Sequence, residues 1–209
     1  SAALPGLPAQ AKCSFGRWKP RPPMRNWLPL PTIYSNPQLV ATPAYLKEAG
    51  AFGGFWSLPS TQKPAAAEIE QQLDFYFDYY KKQVDLHKWY GFWNYGDVMH
   101  TYDTDRHMWR YDVGGFAWDN SELSTDIWLW FYFLRTGRAD VFRMAEAMTR
   151  RTGEVDVHHT GPFAPLGSRH NVYHWGCSAK QMRISTAANR RFYYYLTADE
   201  RVGDLMHEQ

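Results

Sequence analysis

The chain has 209 residues, with 23 Lys and Arg against 21 Asp and Glu, and a formal net charge of +2. A balance this close to neutral argues against nucleic acid and anionic membranes as partners, because both select strongly basic surfaces. The longest apolar runs fall far short of the ~20 residues that span a bilayer, so we expect a soluble chain. Residues 1–10 lack the basic start and apolar core of a signal peptide, which leaves export undecided.

The composition gives little support for a metal or a cofactor. The two cysteines, Cys13 and Cys177, lie far apart and form no CxxC pair. They allow one disulfide at most and no thiolate metal cluster. We therefore expect no cofactor, although a divalent metal remains compatible with the sequence.

Aromatic residues are abundant: 10 Trp, 14 Tyr and 12 Phe make up 17% of the chain. The mean hydropathy is nevertheless −0.56. Rings with a polar edge line wet grooves as well as cores, and sugar rings stack on aromatic planes. The composition thus favours either a large aromatic core or a groove that binds a glycan.

Residues 1–63 are interrupted by prolines at short intervals, and no helical period survives between them. We interpret this segment as an extended, proline-rich arm. It also carries Trp18, Trp27, Phe52 and Trp56, too many large rings for a free linker. The arm should therefore be ordered and pack along the surface of the domain that follows, residues 64–209.

Five helices are predicted after the arm. Apolar residues at spacings of three and four predict the first helix over 65–87. The second begins after Asp119-Asn120-Ser121-Glu122, where a side chain can cap it, and ends at Gly137. The third, fourth and fifth are predicted over 140–151, over 181–196 and from about Asp199.

The sequence also contains a repeat of helix pairs. Residues 131–144 resemble residues 193–205, about 60 positions later. Strands have little support. We therefore predict a mostly α fold, a partial α/α toroid of helix pairs with the arm along one side. Because a ring of pairs cannot close within 209 residues, the toroid should be incomplete and the chain part of a larger protein.

Polar residues concentrate in two long loops between the helices. These loops span Tyr90–Gly115 and Glu154–Gly176, and both are rich in Asp, His and aromatic residues. Loops of this length are usually functional or disordered, and the aromatic residues argue against disorder. We expect the two loops to converge on one face and to form a binding groove there.

The second loop holds four of the eight histidines: His158, His159, His170 and His174. Pairs of them have a spacing compatible with zinc, but a zinc site also needs further ligands in the right geometry. The histidines could instead hydrogen-bond the loop backbone. A third interpretation is a cleft where histidine and tyrosine transfer protons while Arg169 holds an anion.

Several longer motifs occur in a fixed order. They are YGFWNYGDVMHTYD at 90–103, WDNSELS at 118–124, GEVDVH at 153–158, GSRHN at 167–171 and HWG at 174–176. In these motifs the chain resembles the C-terminal α/α toroid domain of the exo-rhamnogalacturonan lyase and YetA-like family. The resemblance extends from about Trp56 to the end. It implies a protein of three parts, a distorted barrel, a β-sandwich and this toroid, that acts on the pectic backbone of rhamnose and galacturonate. It also favours an extracellular or periplasmic location.

A lyase of this kind removes the proton at C5 of a uronate, so it needs a group that neutralises the carboxylate, a base and an acid. Arg169 and Asn171 suit the carboxylate. The candidate bases are His158, His159, His170 and His174, and the candidate acids are Tyr102 and Tyr173. The other candidate substrate contacts are Asp97, His100 and the possible stacking platforms Trp93, Trp118 and Trp175.

Two alternatives remain open. A glycoside hydrolase would place two carboxylates across the scissile bond, and Asp97, Asp103, Asp119 and Glu122 are available. A non-catalytic glycan-binding or scaffold module is the other. In every case we expect a polysaccharide or oligosaccharide ligand, and further domains or a second subunit that complete the toroid.

Overall fold

The structure, a computed structural model, describes residues 41–91, 94–112, 117–119, 121–168 and 180–209. All of them belong to the compact unit Val40–Gln209. This part of the chain is mostly helical, which confirms the predicted fold class. No helix in it is both long and apolar enough to cross a membrane.

Its α-helices are α1 (Pro43–Ala49), α2 (Pro64–His87), α3 (Thr125–Thr136), α4 (Ala139–Arg150), α5 (Ala187–Thr197) and α6 (Glu200–His207). Two strands, β1 (Tyr102–Asp103) and β2 (Met108–Trp109), pair antiparallel in a short hairpin. Short 3₁₀ helices cover Ser121–Leu123 and Met182–Ser185, and a π-helical turn covers Arg151–Val155. The five predicted helices correspond to α2 through α6.

Helix α1 corrects one expectation, because it lies within the segment predicted as an extended arm. Thr42 caps it by accepting a hydrogen bond from the backbone N–H of Tyr45, and Pro43 occupies the first turn, where no donor is needed. Gly50 ends it in the left-handed conformation. One of the prolines in this segment, Pro43, therefore starts a short helix. Residues 1–40 lie outside the described residues.

The rest of the segment before α2 packs on the helices. Phe52 stacks on Phe192 with ring centroids 5.9 Å apart, and both rings are buried. Trp56 is also buried. Arg135 of α3 donates a 2.9 Å hydrogen bond to the hydroxyl of Ser57. This stretch thus extends the core rather than forming a free linker.

The helix-pair repeat is confirmed, with a constant spacing of 61 residues. Thr136 donates to the carbonyl of Tyr132, and Thr197 donates to the carbonyl of Tyr193, both at 2.8 Å. The residue after each threonine, Gly137 or Ala198, adopts the left-handed conformation and ends the helix. Helices α3 and α4 therefore form one pair, and α5 and α6 form the next.

Ionic contacts between helices repeat in the same way, with their charges exchanged. Arg138, at the start of α4, lies 3.2 Å from Asp78 of α2. Asp199, at the start of α6, lies 2.7 Å from Arg150 of α4. Each contact joins the second helix of a pair to the helix that precedes the pair. The two helix pairs therefore pack on their preceding helices in the same way.

The core lies between the pairs and is largely aromatic. Helix α3 is apolar nearly all round and mostly buried, as predicted. The Trp130 ring meets Phe142 of α4 at 5.5 Å and Tyr193 of α5 at 5.9 Å. Many of the aromatic side chains therefore form the core, which is one of the two alternatives that the composition favours.

Candidate active site

Two long connections meet on one face of the helix array. One joins α2 to α3 (residues 88–124), and the other joins α4 to α5 (residues 151–186). Arg183 lies 2.8 Å from Glu122, which links the two connections directly. We call the surface formed by their described residues the loop face. The short turns at Gly137 and Ala198 connect the helices of each pair and take no part in it.

Three buried charged residues lie beneath the loop face. Arg151 Nε lies 3.8 Å from Asp97 Oδ2 and 3.8 Å from Asp156 Oδ1. All three residues are almost fully buried. A buried charge is tolerated only when a partner compensates it, so Arg151 holds the two connections together electrostatically. Arg151 precedes the second predicted loop, Glu154–Gly176, so the convergence of the two predicted loops stays a prediction.

The environment changes the acidity of these carboxyls. Burial raises the pKa of Asp156 to about 7, against the opposing charge of Arg151. Burial also raises the pKa of Asp97 well above its usual range, and the nearby charges of Asp156 and Asp119 add to the effect. The same cause raises the pKa of Asp119. Carboxyls with raised pKa values in a cleft are typical of sites that move protons.

A second polar group fixes the N-terminal ends of α3 and α5. Asp126 accepts a 2.7 Å hydrogen bond from Ser121 and a 3.0 Å hydrogen bond from Asn189. Asp119 accepts a 2.8 Å hydrogen bond from Thr125. These side chains are buried. Their bonds set the positions of the two helix starts from which the loop face is built.

His100 and Tyr102 are the predicted site residues that reach the surface of the first connection. His100 is exposed, and its Nδ1 lies 2.9 Å from the hydroxyl of Thr101. Its charge acts to lower the pKa of Asp119, against the larger effect of burial. Tyr102 is half exposed, and its ring meets Trp109 edge-on at 5.3 Å. Both side chains are accessible from solvent, and their roles stay predictions.

Three tryptophans of the first connection, Trp89, Trp109 and Trp118, are buried. Trp118 was expected as a stacking platform, but only 1% of it is exposed, because its ring packs edge-on against Trp89 at 5.3 Å. Trp89 donates a 2.9 Å hydrogen bond to the hydroxyl of Tyr111, and Trp109 donates one of 2.9 Å to His87. The expectation for Trp118 is therefore wrong. The ring belongs to the wall beneath the loop face.

The second connection places its two described histidines differently. His158 is half buried beside Phe163, at 6.0 Å between ring centroids, and its Nε2 has no hydrogen-bond partner among the described residues. His159 is exposed, and its Nε2 lies 2.8 Å from the carbonyl of Glu154. His159 thus matches the structural alternative. The Nε2 atom of His158 is itself buried and does not reach the surface.

Both residues predicted to hold the carboxylate, and the remaining base, acid and stacking candidates, lie outside the described residues. These are Trp93, Arg169, His170, Asn171, Tyr173, His174 and Trp175. Their roles stay predictions. The expected juxtaposition of His100 or Tyr102 with His170 or His174 stays a prediction for the same reason.

The four carboxylates considered for a hydrolase are all engaged or buried. Asp97 and Asp119 are buried. Asp103 accepts a 3.0 Å hydrogen bond from the backbone N–H of Arg106, and Glu122 is held by Arg183. Among the described residues, no group of three or more His, Cys, Asp or Glu side chains could hold a metal ion.

The sequence analysis missed Arg151, Asp156, Asp126 and Asn189. For Arg151 a signal existed: Val141, Ala145 and Met148 are buried along α4, and Arg151 follows Met148 by three residues on the same face. An arginine on an apolar helix face is a candidate for a buried ion pair. For the other three, nothing in the local pattern marks them as buried.

Two comparisons with known proteins extend these observations. Residues 36–209 match the family model described as the PcRGLX-like protein C-terminal alpha/alpha toroid domain. The chain is also 58% identical over 172 residues to the uncharacterized protein YetA of Bacillus subtilis (strain 168). That alignment covers 82% of this chain and 20% of YetA, so the chain spans about one fifth of that relative.

Proposed function

We propose that this chain, which belongs to the PcRGLX-like C-terminal alpha/alpha toroid family, is part of a polysaccharide lyase. Its substrate is a uronate-containing pectic glycan of the rhamnogalacturonan type, cleaved by β-elimination. The observation that carries the proposal is the family match over residues 36–209. The chemistry of the loop face is consistent with it.

The loop face supplies groups of the kinds that β-elimination needs. His100 and Tyr102 are accessible proton-transfer groups. Arg183 is an exposed cation held by Glu122, and Arg169 and Asn171 remain the proposed partners of the substrate carboxylate. Arg151 and its two carboxylates lie below this surface and hold the two connections in register. Preorganised groups of this kind stabilise charge that develops in the transition state.

The described carboxylates favour elimination over hydrolysis. A glycoside hydrolase needs one carboxyl group on each side of an accessible bond. Asp97 and Asp119 are buried, so neither reaches the loop surface. A glycan-binding module without catalysis remains the second alternative. It would use the same exposed residues without transferring a proton.

The proposal includes further chain that completes the toroid. One side of α2 exposes Ile69, Phe75, Tyr76 and Tyr79. Beside it lies a cavity of about 640 Å³ whose lining includes Leu73, Trp128 and Phe131. Exposed apolar patches of this kind mark contact surfaces. Another helix pair of the same polypeptide, packed with the step that joins the existing pairs, would cover this surface.

One assay separates the three functions. The protein is incubated with rhamnogalacturonan, and the ultraviolet absorbance of the C4–C5 double bond is followed together with new reducing ends. A lyase raises both signals in parallel. Reducing ends without absorbance would establish the hydrolase, and glycan binding without either signal would establish the binding module.

A further inference from the structure

A cavity lies between α2 and α4 and is closed on one side by residues of the first connection. Its volume is about 220 Å³, and its walls come from the last turns of α2, from the segment 89–98 and from α4. At ~30 Å³ per molecule, it has room for about seven waters. It is too small for a peptide helix or a drug-sized ligand and suits one small ring.

The rim of the cavity carries two tyrosines. Tyr90 and Tyr95 line it, and each is about half exposed. The buried ring of Trp89 and the side chains of Val84 and Met144 supply apolar wall. Half-exposed aromatic rings beside an apolar wall offer flat surfaces on which the C–H face of a sugar stacks.

The charges of the cavity are unevenly satisfied. Lys81 and Asp140 are paired at 2.8 Å, and Asp140 also accepts a 2.9 Å hydrogen bond from Arg138. Arg143 lines the cavity, is exposed, and has no hydrogen bond or ion pair among the described residues. Its five N–H donors match a carboxylate in a forked geometry. Asp85, also in the lining, is an acceptor suited to hydroxyls.

One glycine fixes the cavity in place. Gly96 has a φ of +82°, and a Cβ atom there would lie 2.1 Å from the carbonyl oxygen of Ala147 on α4. The segment is therefore pressed directly against the α4 backbone. Its two neighbours line the cavity on either side of this contact, Tyr95 at the rim and the buried Asp97 within. The positions of both are set before any ligand arrives.

We propose that this cavity binds one carboxylated sugar unit, with its ring on Tyr95 and Tyr90, its carboxylate on Arg143 and a hydroxyl on Asp85. The site is formed where the first connection meets α2 and α4, and it would anchor a glycan while another part of the glycan reacts. This inference rests on the proposed glycan ligand but not on lyase chemistry.

The test uses two ligands that differ only at C6, D-galacturonate and D-galactose, titrated into the full chain by calorimetry and ligand-observed NMR. Galacturonate should bind at least about tenfold more tightly, since a hydrogen bond to a charged group contributes a factor of that order. Arg143→Gln should remove this difference. Tyr95→Ala should lower the affinity for both sugars. Tyr95→Phe, which keeps the ring face, should leave both affinities unchanged.

Arg201→Gln is the matched control, because Arg201 is an exposed arginine on α6 that does not line the cavity. It should bind both sugars as the wild type does. Equal binding of the two sugars by the wild type, or galacturonate binding unchanged in Arg143→Gln, would overturn the proposal. This outcome does not depend on the absorbance assay. Arg143-dependent binding without a lyase signal would reject the proposed function alone. A lyase signal without Arg143-dependent binding would reject the cavity site alone.

Discussion

Asn189, in the first turn of α5, donates a 3.0 Å hydrogen bond to Asp126 at the start of α3. The bond joins two successive helix pairs at the end where the long connections emerge. Both side chains are buried, so neither finds water when the other is removed. The relative position of the two helix starts therefore depends on this buried contact, on the Arg183–Glu122 ion pair just before the helices and on the apolar packing around them.

Asn189→Ala should lower the free energy of unfolding by about 1–3 kcal/mol, because the buried Asp126 carboxyl loses one of its hydrogen bonds and keeps those from Ser121 and from the backbone N–H of Ile127. Chemical denaturation measures the change. A double-mutant cycle with Asp126→Ala should give a coupling energy of at least about 0.5 kcal/mol. Strict additivity would show that the bond adds nothing to stability.

Arg151→Ala should be more damaging, by about 3–5 kcal/mol, because it leaves Asp97 and Asp156 buried without their shared cation. The control is Arg106→Ala, which removes an exposed arginine 3.0 Å from Asp112. Exposed pairs contribute up to about 1 kcal/mol. Similar losses in the two variants would contradict a central role for Arg151.

Asp156 should make the free energy of unfolding depend on pH in the opposite direction to an ordinary acidic residue. Its pKa is about 7 in the fold, raised from 3.8 by burial. Between these two values the folded state binds more protons than the unfolded state, so this group lowers stability as the pH rises from about 4 to 7. Each pKa unit corresponds to about 1.4 kcal/mol.

Asp156→Asn should therefore flatten the stability profile over that range, by at least about 1 kcal/mol relative to the wild type. Denaturation at a series of pH values measures the difference. Asp97 and Asp119 contribute with the same sign, because burial raises their pKa values also. Parallel profiles for variant and wild type would show that Asp156 is not the titrating group.

Two glycines allow a matched test of backbone packing. Gly96 and Gly161 have φ values of +82° and +83°, but only Gly96 would place a Cβ against another backbone. Gly161→Ala should cost about 1–2 kcal/mol for the left-handed conformation alone. Gly96→Ala should cost clearly more, since α4 and the segment 94–98 must also separate. Equal losses in thermal or chemical unfolding would refute the contact.

Activity predictions follow from the proposed lyase. Arg169→Ala and His170→Ala should each lower the rate by about a hundredfold or more, since they remove the proposed carboxylate partner and a proposed base. His100→Ala should also lower it if His100 takes part in proton transfer. His207→Ala, on α6, should leave the rate unchanged. Wild-type rates with unchanged folding would remove the tested residue from the site.

Much of the helical architecture was accessible from the sequence, because it follows from local patterns. The spacing of apolar residues from Ile69 to His87 predicts α2, which runs over Pro64–His87. The stop at Gly137 and the start at Asp199 are local capping signals, and both are present. The repeat was also visible, but its constant spacing of 61 became clear only from the paired threonine bonds at Thr136 and Thr197.

The candidate site was less predictable, because burial is decided by contacts between distant segments. Trp118 and Asp97 lie in a polar loop of the sequence and were expected to contact a ligand, yet both are buried. Trp118 is covered by Trp89, nearly thirty positions away, and Asp97 by the end of α4. His100 and Tyr102 were expected to contact the substrate or transfer a proton, and their exposure is compatible with these roles.

The two-residue turns at Gly137–Arg138 and Ala198–Asp199 leave no slack between the helices they join. Inserting residues there would displace a left-handed cap and an interhelical ion pair together. In the described parts of the connections 88–124 and 151–186, the close contacts discussed above lie at Gly96 and at Arg151, away from the ends of α3 and α5. Changes of length during divergence, and loop exchange in the laboratory, should therefore be tolerated on one end of the array and rejected on the other. Related toroids can in this way acquire new specificities while their helices stay in register.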